Sequence, residues 1–437
     1  MVNISDTLFS AIEDELNQIQ HTIYEKETER IIVVDSVMGS GKTSWTFQEL
    51  FNKNLNQNIL YITPYLKEIE GEDGRIPKAY ESGEIDSDRR IITPRNMGKG
   101  KIGNIADLIN NQADIASTHE LFRRFDEDCK QALKENNYTL ILDETLDCVE
   151  PYFFKAKDDA EELLAKHDIE IDSDGLVKWT GSERETRWED VRLLAQNKAL
   201  FRVDDRFFVW HYPAEIFKLF RKIYILTYMF DGSLMKYYFD LYDIKYTAKS
   251  ISGSYGNYKL VDYYKPNKES YQKRIKVYEG IYNKNIPTKD NVLSTSWSKQ
   301  SYNSKHLRQI QKNMYNYCRN EIKAKSDDVM WTSTKANKSK LKGKGYTNGF
   351  VSCNARASND YRNKSCLMYA VNWFINPEIN KFFLQHNIKV NQDSIALATL
   401  LQWVWRSNIR ESDSNQQINI YIPSARMRRL FYEWLSS

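Results

Sequence analysis

The stretch Ile31-Ile32-Val33-Val34-Asp35-Ser36-Val37-Met38-Gly39-Ser40-Gly41-Lys42-Thr43 limits what this chain can fold into more than any other. Four consecutive β-branched residues are too few for a helix and suit a strand buried on both faces of a parallel sheet. Gly39 and Gly41 then let the backbone bend so that successive N–H groups converge, and a helical stretch from Ser44 to Phe51 follows. Strand, glycine turn and helix in that order make an anion cradle, with the positive end of the helix aimed into it. Lys42 adds a point charge for the β- and γ-phosphates of ATP, and Thr43 adds a hydroxyl for Mg²⁺. The usual Gly-x-x-x-x-Gly-Lys-Ser/Thr pattern fails only at its first position, where Ser36 stands. A bland glycine turn beside a lysine is the alternative, and the flanking strand and helix argue against it. Gly39, Ser40, Gly41, Lys42 and Thr43 are therefore the expected nucleotide contacts. Phosphate binding alone leaves kinases, GTPases and ATPases open.

Further along, Thr139-Leu140-Ile141-Leu142 runs into Asp143-Glu144. A carboxylate at the C-terminal end of a parallel strand faces the crevice where ligands bind. Asp143 is expected to hold Mg²⁺ together with Thr43. Glu144 is expected to orient and deprotonate an attacking water, a task that requires a carboxylate within hydrogen-bond reach. An Asp-Glu pair is common by chance; after an apolar strand downstream of a P-loop it points to ATP hydrolysis.

Short apolar runs recur at Ile59–Ile62, Thr139–Leu142 and Ile223–Leu226, separated by enough chain for helices, and imply an α/β layered sheet. The pattern restarts at Asn291–Ser294, Gly349–Ser352, Leu367–Val371 and Ile418–Ile422, which reads as a second α/β lobe. Residues 1–240 and 241–437 are the expected lobes, with 240–290 as connector plus the first strand of lobe two. Leu8, Ile12, Leu16, Ile19 and Ile23 predict an amphipathic helix over 8–28. Residues 150–215 read as an acidic insertion. Residues 323–345 carry seven lysines and read as a flexible basic loop. The net charge of +3 conceals an asymmetry: residues 241–437 hold 32 Lys and Arg against 14 Asp and Glu. The C-terminal half is thus a plausible polyanion-binding surface, with a merely solvated charged face as the alternative. No apolar run approaches the ~20 residues of a membrane span. The N-terminus has no secretion pattern, and the five cysteines lie far apart with no Cys-x-x-Cys pair, so a cytoplasmic chain without a zinc site is expected.

Asp143-Glu144-Thr145-Leu146, together with the Ser-x-Met-Gly-Ser-Gly-Lys-Thr loop, resembles the superfamily 2 helicases of the DEAD/DEAH-box type. The overall look is closest to helicases carried by bacteriophages, with a weaker likeness to viral origin-binding helicases. Tyr61-Ile62-Thr63-Pro64-Tyr65 resembles motif Ia, and Ala116-Ser117-Thr118-His119-Glu120-Leu121-Phe122 resembles the later loop on the same nucleic-acid strand. Leu226-Thr227-Tyr228 sits at motif III and Ser294-Thr295-Ser296 at motif IV. Asn354-Ala355-Arg356-Ala357-Ser358-Asn359-Asp360 resembles motif V, and the stretch from Gln402 to Arg410 resembles motif VI. The resemblance implies two tandem RecA-like P-loop NTPase lobes with a cleft between them, using ATP and Mg²⁺. It implies nucleic-acid contacts at Thr63, Pro64, Thr118, His119, Ser294 and Arg356, a nucleotide contact at Asp360, and catalytic roles for Glu144, Gln402, Arg406 and Arg410.

The sequence departs from the family in three places. Trp405 replaces the motif VI glycine, and the second arginine comes one residue late, at Arg410. Ser358 stands where motif V has its glycine, and Leu226-Thr227-Tyr228 lacks the usual Ala-Thr. A helix over 395–410 places Gln402, Arg406 and Arg410 at i, i+4 and i+8 on one face; Arg406, at the standard distance from Gln402, is then the expected arginine finger. The function implied is a helicase or translocase acting on single-stranded or forked DNA, with replication or recombination proteins as possible partners. An RNA-dependent ATPase, a duplex translocase that does not unwind, and an ATP-switched nucleic-acid-binding protein remain as rivals.

Overall fold

A computed structural model describes residues 29–52, 57–71, 74–86, 88–98, 100–156, 158–182, 187–353, 361–411 and 414–437. The helix expected over 8–28 lies outside them, as does the motif V stretch with Arg356 and Asp360.

Two α/β sheets dominate. The first has eight strands: β1 (Ile31–Asp35), β2 (Asn58–Thr63), β3 (Ile91–Ile92), β4 (Asp114–Thr118), β5 (Tyr138–Asp143), and, after an inserted region, β11 (Lys222–Thr227), β12 (Thr247–Ser254) and β13 (Asn257–Asp262). Their order is β13-β12-β1-β11-β5-β2-β4-β3, and all are parallel except β13, which returns antiparallel to β12. Every residue of β1 is buried, and so are all but the last of β5, as the unbroken apolar runs require of strands covered on both faces. The register sets Asp35 beside Thr227 and Leu226 beside Asp143, so three strand ends stop level with one another.

The insertion carries β6 (Val149–Tyr152), β7 (Ile169–Ile171), β8 (Val177–Trp179), β9 (Leu200–Val203) and β10 (Phe207–His211). Strands β6, β10 and β9 form an antiparallel sheet of their own, and β7 pairs with β8. The segment expected at 150–215 is therefore a small folded unit. Helix Pro377–Gln385, from the other half of the chain, packs on it: Phe382 meets Phe201 edge-on with 5.4 Å between centroids, and Lys381 pairs with Asp204.

The second sheet is parallel, in the order β14 (Ile275–Val277), β17 (Ile418–Tyr421), β16 (Cys366–Ala370), β15 (Val329–Ser333). Here several expectations require correction. The basic stretch 323–345 is no loop: β15 runs through it with all five residues buried, and helix Lys338–Leu341 follows. The lysines flank the strand, hiding a run with apolar Trp331 at its centre. Asn291–Ser294 forms a turn whose Leu293 has φ 68°, and Phe350 makes only an isolated bridge to Trp331, so neither segment is a strand. Two strands from beyond residue 240, β12 and β13, complete the first sheet. No helix among the described residues is long and apolar enough to cross a membrane.

Candidate nucleotide site between the two sheets

At the end of β1 the chain turns through Gly39 and Gly41, whose φ values of 85° and 89° lie where an L side chain is strained. Helix Lys42–Thr46 starts at once, and Gln48, in the turn beyond it, clasps β13: its amide donates to the Tyr258 carbonyl and accepts from the Tyr258 N–H, each at 3.0 Å. The Tyr258 ring lies so close over Gly41 that a methyl group there would fall 2.3 Å from it. The Lys42 ammonium donates to the carbonyls of Ser36 at 2.5 Å and Val37 at 3.1 Å. Burial pulls its pKa down to about 8, against the opposing pull of Asp35, Asp143 and Glu144. Thr43 is buried beside it.

Asp35 was not singled out by sequence. Its carboxylate accepts the N–H groups of Met229 and Phe230 at 2.8 and 2.9 Å, which ties the P-loop strand to the turn after β11. Burial raises its pKa, and those two N–H groups oppose the rise. The turn holds Met229 at φ 57° and continues to Gly232, where an added methyl group would meet Ala398 Cβ and the Ser394 carbonyl, both at 2.7 Å. Those two residues belong to helix Gln392–Val404, so the motif III position abuts the helix that carries Gln402. Next door, Tyr228 accepts a hydrogen bond from Trp434 Nε1 at 3.0 Å.

On the acidic side, Tyr61 donates to Asp143 Oδ2 at 2.6 Å. Glu144 has φ 75°, a rare conformation for a residue with a side chain, and its N–H donates to the Leu226 carbonyl at 3.0 Å. Such strain recurs at functional positions.

The arginines come from the second sheet. Helix Gln392–Val404 stops at Trp405, so the helical phase expected to align Arg406 and Arg410 with Gln402 does not extend to them. The break has a visible cause. Trp405 is buried edge-on against Trp434 at 5.2 Å, and the Ser407 hydroxyl donates to the Val404 carbonyl and caps a short turn, Asn408–Arg410. Arg274 then binds the Asn408 carbonyl at 2.8 Å. After this detour Arg410 lies against the P-loop: a methyl group on Gly39 would sit 3.4 Å from Arg410 Cγ and 3.9 Å from its Nε. Burial lowers the Arg410 pKa, and three further guanidinium groups, Arg75, Arg362 and Arg406, press it the same way. Arg406 itself is buried, and Gln402 is half-buried on the helix. Val37 and Met38 of the P-loop pack on the apolar core that surrounds Trp405.

The structure thus gathers Gly39, Ser40, Gly41, Lys42, Thr43, Asp143, Glu144 and Arg410 into one place. Of the expected nucleic-acid contacts, Thr63, Pro64, Thr118, His119 and Ser294 fall among the described residues. Thr63 is fully buried at the end of β2, and Pro64 beyond it is half-buried. Thr118 caps helix His119–Phe122 by accepting the Leu121 N–H at 3.3 Å, and the His119 carbonyl accepts from Tyr212. Ser294 is buried as the cap of helix Thr295–Lys299, its hydroxyl accepting the Trp297 N–H at 3.2 Å.

A parallel sheet with a Gly-x-Gly-Lys-Thr turn after one of its inner strands defines a P-loop α/β protein. The chain belongs to the YonV family: it is 35% identical over 421 residues to the SPbeta prophage-derived uncharacterized protein YonV of Bacillus subtilis (strain 168), covering 94% of this chain and 99% of that one. Two family models match it, the YonV middle domain at residues 152–210 and the YonV C-terminal Rossmann-like domain at residues 269–435. These correspond to the insertion and to the second sheet with its helices. Among solved structures, an XPD helicase aligns over 97% of both chains at 14% identity and a TM-score of 0.40. The DUF1998 helicase MrfA bound to DNA and AMPPNP aligns over 96% of this chain at 11% identity and a TM-score of 0.32, and this chain spans half its length. Superpositions that loose assign no role to any residue.

Proposed function

We propose that the chain is an ATP-driven motor of the helicase or translocase kind, with nucleotide clamped between two RecA-like lobes. The observation that carries this reading is the approach of Arg410 to Gly39, which brings a guanidinium from the second sheet onto the P-loop of the first. Arg75, Arg362 and Arg406 add positive charge to that of buried Arg410, with Glu411 opposing them, and a polyphosphate answers that excess of positive charge. In this reading Lys42 leaves the Ser36 and Val37 carbonyls for the β- and γ-phosphates, and the P-loop N–H groups close around them. Mg²⁺ fits the donor set: it is commonly held by one or two oxygen ligands plus substrate phosphates, and the Thr43 hydroxyl and Asp143 carboxylate supply that number. When bound, it neutralises charge on the phosphate oxygens. Glu144 orients the attacking water and takes its proton. Arg410, rather than Arg406, stabilises charge on the transferred phosphoryl group.

Coupling between the lobes follows two contacts. Asp35 holds the turn at Met229 and Phe230, and that turn rests on helix Gln392–Val404. A change at the P-loop therefore displaces the second lobe through packed atoms. With single-stranded DNA lying across both lobes, closing and opening becomes stepping. The +18 net charge of residues 241–437 supports backbone binding that is salt-sensitive and largely sequence-independent. The prophage origin of the Bacillus subtilis relative supports a phage setting, and within it we propose a role in replication, recombination or repair.

ATP hydrolysis measured with single-stranded DNA, duplex DNA and RNA tests the reading, alongside strand displacement on a forked substrate. Stimulation by single-stranded DNA with unwinding is the expected result. A rate that no nucleic acid alters would overturn the motor reading in favour of an ATP-switched binding protein.

A further inference from the structure

Tyr61 and Asp143 are 82 residues apart in sequence, yet the phenol reaches the carboxylate at 2.6 Å. Tyr61 sits in β2 and Asp143 ends β5, its neighbour, with Ile62 opposite Leu142 in the register. The ring is 1% exposed and packs edge-on against Phe51 at 6.1 Å. A tyrosine that buried has little freedom to choose another acceptor, and its hydroxyl donates to Oδ2 alone.

We propose that Tyr61 is a positioning residue for the metal ligand Asp143, fixing the carboxylate so that it meets the divalent cation of a bound nucleotide without reorienting. This rests on the P-loop reading above and deepens it. Outer partners that hydrogen-bond a ligating carboxylate fix its orientation, and their loss typically costs 10–100-fold in metal affinity. Asp143, being at the end of its strand, has only one side braced by the ladder; the phenol braces the other. A purely structural account treats the bond as a core tyrosine satisfying its hydroxyl on the nearest acceptor.

The test uses the full chain with Tyr61→Phe, which removes one oxygen and keeps the ring. Binding of Mn²⁺ in the presence of a non-hydrolysable ATP analogue is read by electron paramagnetic resonance, and ATP hydrolysis is titrated with Mg²⁺ in parallel. The expected result is Mn²⁺ affinity about 10-fold weaker and half-saturating Mg²⁺ about 10-fold higher, with thermal unfolding still cooperative. Tyr61→Leu, which loses the ring as well, should weaken metal binding no further than Tyr61→Phe if the hydroxyl is what matters. Parent-like Mn²⁺ affinity in a folded Tyr61→Phe chain overturns the positioning role while leaving the motor reading intact. A parent that binds Mn²⁺–nucleotide but never hydrolyses it, with the 10-fold loss still present in Tyr61→Phe, sinks the motor reading and keeps the positioning role. Failure of the parent to bind Mn²⁺–nucleotide at all removes both.

Discussion

On the first sheet, the groups that face the proposed nucleotide follow directly from strand ends: Lys42 and Thr43 from β1, Asp143 and Glu144 from β5. On the second, Arg406 and Arg410 lie past the end of a helix, in a segment held by Ser407, Asn408 and Arg274. One side of the proposed site is built by local backbone geometry, and the other also depends on a contact between residues 134 positions apart, Arg274 and Asn408. The difference teaches where each side is vulnerable. The P-loop fails when its own residues change, whereas the arginine side also fails when distant supports are removed.

The largest expected effect comes from the local side. Lys42→Ala should bring ATP hydrolysis below detection in a steady-state phosphate-release assay while leaving the thermal midpoint near that of the parent. On the opposite side, Arg410→Ala should lower turnover by about 10³-fold or more, as expected for an arginine finger, and Arg406→Ala should lower it less. Equal losses, or a larger one at Arg406, would show that the arginine nearest Gly39 is not the one that acts. Gly232→Ala probes the seam between the two sides. The added methyl group overlaps Ala398 and the Ser394 carbonyl, so about 1–3 kcal/mol of stability should be lost, together with nucleic-acid stimulation of hydrolysis; denaturant unfolding and stimulated rates read the two losses separately.

A smaller effect comes from protonation. Because the Lys42 pKa is lowered to about 8 in the free chain, most of its ammonium groups are neutral at pH 9. A bound polyphosphate favours the charged form and raises the pKa again. Nucleotide binding should therefore take up a proton at pH 9 and little at pH 7, and calorimetry in buffers of different ionisation enthalpy measures the difference. The smallest effect belongs to Tyr228→Phe, which removes the acceptor for Trp434 Nε1. About 1 kcal/mol of stability should be lost, read as a shift in the denaturant midpoint, and a shift near zero would mean that water replaces the phenol there.

Much of the first sheet was legible because its signals are contiguous. β1, β2, β5 and β11 are unbroken apolar runs, and the glycine turn after β1 reads in one line. The second sheet was harder. β14 is the strand expected somewhere in 240–290, but at three residues nothing marked its position, and β15 is flanked by lysines that suggested a loop. Asn291–Ser294 and Gly349–Ser352 have strand-like composition without a ladder partner to make them strands. The expected helix over 395–410 failed because Trp405 and Ser407 close it early, and the propensity of the preceding residues carries no trace of that tertiary demand.

The sequence by itself determined that a P-loop would follow a buried strand, that an acidic pair would end another, and that an inserted segment would separate β5 from the strand after it. These depend on neighbours along the chain, whose geometry is set by sterics and hydrogen bonding within a few residues. Only the tertiary structure decided that Arg410 rather than Arg406 rests on Gly39, that Tyr61 holds Asp143, and that Asp35 ties the P-loop to the turn on helix Gln392–Val404. Each of these joins groups distant in sequence. Strand register and the packing of one sheet against the other select them, and neither is written in the spacing of residues along the chain.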